Sequence, residues 1–188
     1  MTKLLLAALL ASGFAAAHAE STTYAVDPFH TSVTFEVIHA GTSTVRGRFD
    51  KKEGVVTLDK AAKTGTAQII IDMSSVSVGV PPMEGSLKGK GYFNVGEFAN
   101  ATFTADKFSF DGDKVSEVAG TLTMLGKTQP VTMKATRFNC YLNPVVSRET
   151  CGGDFETTIV RSQFGMTSGL AFAGDNIRLL IQVEAIKQ

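Results

Sequence analysis

Along much of the chain, apolar and polar residues alternate with a period of two, the mark of strands that bury one face. The stretch from Gly120 to Met133 shows it most plainly. Val118, Gly120, Leu122 and Met124 share one parity, with Thr121 and Thr123 between them. Past a Gly126-Lys127 turn region, Val131, Met133 and Ala135 alternate with Thr132, Lys134 and Thr136. This predicts two half-buried strands joined by a loop, and antiparallel sheets with one wet face are the usual setting for such a pattern.

The same rule marks other segments. Val33, Phe35 and Val37 alternate with Thr34 and Glu36 over Ser32 to Ile38. After His39-Ala-Gly41-Thr, Val45, Gly47 and Phe49 alternate with Arg46 and Arg48. Glycine at 47 predicts a bend or a close backbone approach. Gly54 to Leu58 and Thr64 to Met73 form a further pair, and Ala101 to Phe110 turns through Asp111-Gly112-Asp113, a hairpin signal. Beyond Ala135 the parity slips, since Phe138 and Cys140 are even-numbered, which predicts a bulge near Thr136 or Arg137. Gly153 to Arg161 and Ile177 to Ala185 complete about eight strands. Closing such a sheet removes its edges, and eight strands enclose room for one small ligand.

Alternation stops from Ser74 to Ala99 and again from Ser162 to Gly174. The first excursion carries Pro81-Pro82 and glycines at 85, 89, 91 and 96. Each interior glycine costs a helix about 1 kcal/mol against alanine, so the expectation is a loosely helical flap around Met83 to Lys90. Irregular stretches longer than ~15 residues usually carry function.

The N-terminus does not belong to this pattern. Lys3, an apolar run from Leu4 to Ala17 and the small residues Ala17-His18-Ala19 read as a secretory leader, residues 1–19, cleaved after Ala19. The run is too short for the ~20 residues that cross a bilayer. An exported, periplasmic protein with a single domain over 20–188 is expected. Without Lys3 the balance is 17 basic to 18 acidic residues with no basic block, which argues against nucleic acid as a partner. Eighteen Gly, thirteen Phe and no Trp, with abundant Thr and Val, fit an all-β domain.

Candidate chemistry is sparse. Cys140 and Cys151 are an even pair in an exported chain, flanking Asn143-Pro144, and are expected to form a disulfide. A metal or redox role would want Cys-x-x-Cys or a His cluster, neither of which is present. His30 and His39 are an odd nine residues apart, on opposite faces of a continuous strand, so a shared metal is not expected. Asp27 or Glu36 beside His30 would allow acid/base work in a small hydrolase or isomerase. The Asp-Pro-x-His spacing fits equally a turn in which side chains bond to backbone, and this structural reading is favoured. Gly126-Lys127-Thr128 is no phosphate loop, because Thr121 stands where that motif wants glycine and a strand follows.

The motifs Tyr24-x-Val-Asp27-x-x-His30-Thr-Ser32-x-x-Phe35, His39-x-Gly41, Val45-x-Gly47-x-Phe49, Gly120-x-Leu-Thr-Met-x-Gly126-x-Thr-x-Pro-Val-Thr and Arg161-Ser-x-Phe-Gly165-Met, in this order from Tyr24 to Ile186, resemble the YceI-like family of exported polyisoprenoid-binding proteins. Cys140 to Thr157 resembles a two-cysteine branch of it. The resemblance implies an all-β, eight-stranded antiparallel lipocalin-like barrel with a short helical or irregular flap. It also implies a non-enzymatic carrier, without cofactor or metal, of a long-chain isoprenoid of quinone or polyprenyl type, exchanged by transient contact with membrane. Phe35, Phe49, Met83, Leu87, Phe93, Phe103 and Phe164 are the candidates for its mouth and cavity, with the 74–99 and 162–174 segments near the mouth. Leu125 and Gln163 stand where relatives commonly carry His and Asp, which bears on the ligand's head group more than on the fold.

Overall fold

The computed structural model describes residues 21–188, so the leader read at residues 1–19 lies outside the described residues. Strand segments β1 (Thr22–Val26), β2 (Ser32–His39), β3 (Ser43–Phe49), β4 (Lys52–Asp59), β5 (Thr64–Asp72), β6 (Val76–Ser77), β7 (Asn100–Asp111), β8 (Lys114–Met124), β9 (Lys127–Asn143), β10 (Arg148–Val160) and β11 (Asn176–Lys187) form one sheet, and the one α-helix among the described residues, α1 (Pro81–Lys88), lies between β6 and β7.

Three of the breaks are bends within a longer strand. β1 and β2 follow one another along the same edge of β11, with Val26 opposite Ala185 and Ser32 opposite Gln182. β4 and β3 pair with them in turn, and β6 prolongs β5 to meet β3. Traced as continuous paths there are eight antiparallel strands in chain order, and the pairing of β1 with β11 closes the ring. The barrel expected from the alternation is the fold.

Bulges coil the sheet and explain where the alternation slips. The register skips Asp106 in β7, Ser116 in β8 and Thr136 in β9. The last is the bulge that the odd-to-even slip predicts. Asp27 to Thr31 form a larger one. There the Thr31 hydroxyl donates to the Glu184 carbonyl and accepts from the Glu184 N–H, both at 3.2 Å, and the Asp27 N–H reaches the same carbonyl at 2.8 Å. A side chain thus replaces backbone in the ladder at this point and gives the Glu184 N–H and C=O their partners.

The hairpins follow their turn chemistry. Leu125 and Gly126 both have positive φ, 53° and 71°, as a two-residue type I′ turn requires. The turn therefore sits one residue earlier than Gly126-Lys127, and Lys127 already belongs to β9. At the β9–β10 tip the Asn143 side chain accepts from the Val145 N–H at 3.0 Å. Just behind that tip Cys140 faces Cys151 directly across the ladder, Cα to Cα 4.0 Å, and the two form the expected disulfide.

The irregular segment is more ordered than a run of glycines foretells. α1 begins two residues before Met83, with Pro81 and Pro82 in its first turn, where no N–H is needed. Glu84 reaches back to accept from the N–H groups of Val78 and Gly79 at 2.9 and 3.0 Å. None of the helix is buried. What fastens the flap is Phe93, packed edge-on against Phe49 with ring centroids 5.4 Å apart.

Candidate functional site

The inward parity of every strand meets on the barrel axis, and there the interior is hollow. Two apolar chambers of about 130 Å³ each lie end to end. Val33, Ile71, Leu122 and Leu179 line both and form a waist between them.

The first chamber occupies the end that carries the β4–β5, β7–β8 and β9–β10 hairpins. Tyr24, Leu58, Val115 and Cys151, all buried, stand in its wall. The Tyr24 hydroxyl in that wall is already paired, whereas the buried Thr150 hydroxyl, beside Cys151 in β10, has no partner among the described residues. The Tyr24 hydroxyl donates to Glu149 at 2.5 Å, and Lys60 holds the other Glu149 oxygen at 2.7 Å. Hydrogen bonds from Lys60 and Tyr24 keep the Glu149 carboxyl below its ordinary value, while burial and then that carboxylate push the Tyr24 phenol well up. Cys140, Cys151 and Glu149 have ligand atoms within 4.8 Å of one another, but both sulfurs are in the disulfide.

The second chamber lies beneath the flap. Phe35, Phe49, Leu87, Tyr92, Phe93, Met124, Met166 and Ile177 contribute to its lining, together with one charged residue, Arg161. That side chain is only 3% exposed. Its guanidinium donates to the carbonyls of Met166, Ser168, Ala173 and Gly174 at 2.8 to 3.2 Å, and so holds the loop after β10 in a single arc. The arc is stitched to the β2–β3 hairpin by Ala40 N–H to Phe172 and Gly174 N–H to Ile38.

Of the expected cavity residues, Phe35, Phe49, Leu87 and Phe93 line the flap-end chamber and Phe103 the other. Phe164 is buried beside them in the core, and Met83 is exposed on the outer face of α1. Arg161 entered the sequence reading only as the first residue of the Arg161-Ser-x-Phe-Gly165-Met motif, and Tyr92 not at all. The signal for Arg161 was its parity, since it continues the odd-numbered inward series Cys151, Phe155 and Ile159.

His30 is elsewhere, on the outside of the bulge and well exposed. Its Nδ1 meets Asp27 at 2.6 Å, and the other Asp27 oxygen accepts the Phe29 N–H at 2.9 Å, the backbone-bonding turn that the spacing suggested. The Asp27 hydrogen bond raises the His30 value. Burial works against ionised Asp27, but bonds from His30 and Phe29 win and lower it. Glu36 is not brought to His30; it is engaged by Arg46 at 2.7 Å and Arg178 at 3.2 Å.

Residues 24–185 match the model of the YceI-like domain. A UPF0312 protein of Shewanella putrefaciens is 30% identical over 192 residues, covering the whole of both chains, and protein YceI of Salmonella arizonae is 30% identical over 85% of this chain and 83% of its own. Among solved structures, Burkholderia cenocepacia BcnA superposes with a TM-score of 0.72 at 25% identity, covering 85% of this chain and 99% of that one. A polyisoprenoid binding domain from Saccharophagus degradans, implicated in plant cell wall breakdown, superposes at 0.65 with 15% identity over 89% and 99%, a likeness of fold.

Proposed function

Because the chain belongs to the YceI-like family, we propose that it binds one long apolar lipid of the isoprenoid class, quinone-type or polyprenyl, along the barrel axis, and carries it in the periplasm without catalysing a reaction. The observation that carries this is the hollow axis itself: two chambers sharing a waist, lined almost wholly by carbon. The polyisoprenoid binding of the Saccharophagus degradans domain supports the ligand class. The His30–Asp27 pair lies outside both chambers and takes no part in this reading.

Magnitude limits how the protein works. Burying a CH₂ is worth about 0.8 kcal/mol, so eight five-carbon units approach about 30 kcal/mol relative to water. Non-covalent binding saturates near roughly 20. Ordering the lipid and opening the flap offset part of the gain, and a bilayer offers the chain a comparable apolar home. Exchange therefore runs between protein and membrane by transient contact and needs no energy source. Protein exported in a bacterial host and purified without detergent should yield, by mass spectrometry of an organic extract, roughly one long apolar lipid per chain, and should pass it to added vesicles. An extract free of lipid, together with failure of the stripped protein to take up any long isoprenoid from vesicles, would refute the carrier reading.

A further inference from the structure

At the end of the tube that α1 covers, apolar side chains stand together in water. The last residues of β2 pair with the loop after β10: His39 faces Ala173, the Ala40 N–H reaches Phe172 and the Gly174 N–H reaches Ile38. Ala173 lines the flap-end chamber. Side chains alternate across such a pairing, so Ile38 and Phe172, one place to either side, turn outward together as diagonal neighbours. Phe172 is 67% exposed, Ile38 51%, and Leu170, in the turn that leads to Phe172, 39%. Val80 and Met83, at the start of α1, are exposed too.

Charge separates this end from the other. The segments that frame it, 38–45, 78–98, 125–127 and 161–175, carry the carboxylates of Glu84, Glu97 and Asp175. Each already accepts from a nearby donor: the Val78 and Gly79 N–H groups, the Asn94 amide, and Ser162. Lys88, Lys90 and Lys127 stand in the same segments, while the lysine ion pairs of the described residues lie elsewhere, at Lys51, Lys60 and Lys63. The hairpin end has an apolar tip of its own in Leu142 and Val145, but that end also shows the Asp111 and Asp113 side chains to solvent.

Resting on the carrier reading for its choice of partner, we propose that the flap end is a membrane-docking face: Phe172, Ile38 and Leu170 enter the interface of an anionic phospholipid leaflet, and Lys88, Lys90 and Lys127 lie against its head groups. An interface of this kind takes up apolar side chains flanked by lysine, and the two attractions add where neither alone would hold. The mouth decides for a bilayer over a second copy of the chain. Ala173 belongs both to the docking strand and to the chamber wall, so a lipid leaving past α1 emerges against acyl chains and crosses no water, whereas a second copy seated there would stopper the tube.

The chain has no tryptophan, so one placed in the patch reports without background. With vesicles of phosphatidylglycerol and phosphatidylethanolamine, the indole of Phe172→Trp should shift its emission to the blue and be quenched by lipids brominated on the acyl chain, and that of Leu142→Trp should do neither. Phe172→Ser, which uncovers nothing buried, should bind these vesicles about tenfold more weakly, the share of one largely exposed aromatic ring. Lys88→Gln combined with Lys90→Gln should cost about tenfold on the same vesicles and nothing on phosphatidylcholine, and raised salt should act as that pair of changes does. Quenching of Leu142→Trp in place of Phe172→Trp, vesicle binding indifferent to Phe172 and to the lysines, or an unquenched Phe172→Trp indole together with a dimer that Phe172→Ser dissolves would each overturn the docking face and leave the carrier reading in place. Insertion of the Phe172→Trp indole by a protein that takes up no isoprenoid from the vesicles would keep the docking face and strike the carrier reading.

Discussion

At the scale of single residues, the Asp27–His30 pair makes the protein's surface electrostatics testable. His30 is raised from an ordinary 6.5 and Asp27 is lowered from 3.8. The pair's contribution is therefore complete between 3.8 and 6.5, lost on the alkaline side as pH rises through the raised histidine value, and lost on the acid side as pH falls through the depressed aspartate value. Proton NMR should find His30 titrating above 6.5 in the wild type and returning toward it in Asp27→Asn. An unchanged midpoint would show that Asp27 is not the cause. Gly47 is the second residue to probe. It lies opposite Phe35 in the ladder, and a Cβ built there would stand 2.2 Å from the tip of that ring. Gly47→Ala must drive the ring into the flap-end chamber, at a cost of about 1–3 kcal/mol. Urea denaturation should show the loss, and lipid stoichiometry should fall with it. The sequence already marked Gly47 as a close approach, but which atom approaches is set by the register of β2 on β3, and register is invisible in a single strand.

At the scale of elements, the flap and the disulfide are opposites. α1 has no buried residue, and Gly85 within it has open space where a Cβ would go. Gly85→Ala should firm the helix by about 0.5–1 kcal/mol. Hydrogen exchange in α1 should slow, and transfer of lipid to vesicles should slow in step; unchanged transfer with slower exchange would remove α1 from the gate. At the other end Cys140→Ser should lower the thermal midpoint by the equivalent of about 3 kcal/mol on the loop-entropy estimate. In excess reductant the two proteins should melt alike, and an equal deficit under both conditions would assign the loss to packing. These elements were unequally legible. β7 to β11 announced themselves by period, and the slip between Ala135 and Phe138 located the Thr136 bulge. The break between β1 and β2 was hidden, because Asp-Pro-Phe-His reads as the turn before a strand, whereas it interrupts one already begun at Thr22. The helix was half seen: its glycines argued against it, and the Glu84 bonds that stabilise its first turn are contacts with residues upstream of the helix.

At the scale of the whole molecule, the waist sets the ligand's length. Leu122 lines both chambers and is buried. Leu122→Trp should close the passage between them, costing about 1–3 kcal/mol of stability through overpacking. A two-unit isoprenoid that fits one chamber should still bind, while an eight-unit chain should be taken up many-fold less well. Equal loss of both, or of neither, would mean that the chambers act independently. Core and cavity share one parity, so the alternation that revealed the barrel gave no hint that it is hollow. Hollowness depends on the volumes of side chains facing one another across the axis, and those pairs come from distant parts of the chain.

The stapled end has a further consequence. The disulfide and the Tyr24–Glu149–Lys60 chain hold the first chamber's end of the tube, while α1 covers the other with little to fix it. A tube with one yielding mouth keeps the order of its contents: what goes in last comes out first. The end of a lipid that enters first lies deepest, beside the disulfide, and leaves last. An elongated lipid therefore comes out with the end that entered last in front, turned end for end relative to its direction of travel, so loading and unloading are not mirror images of each other.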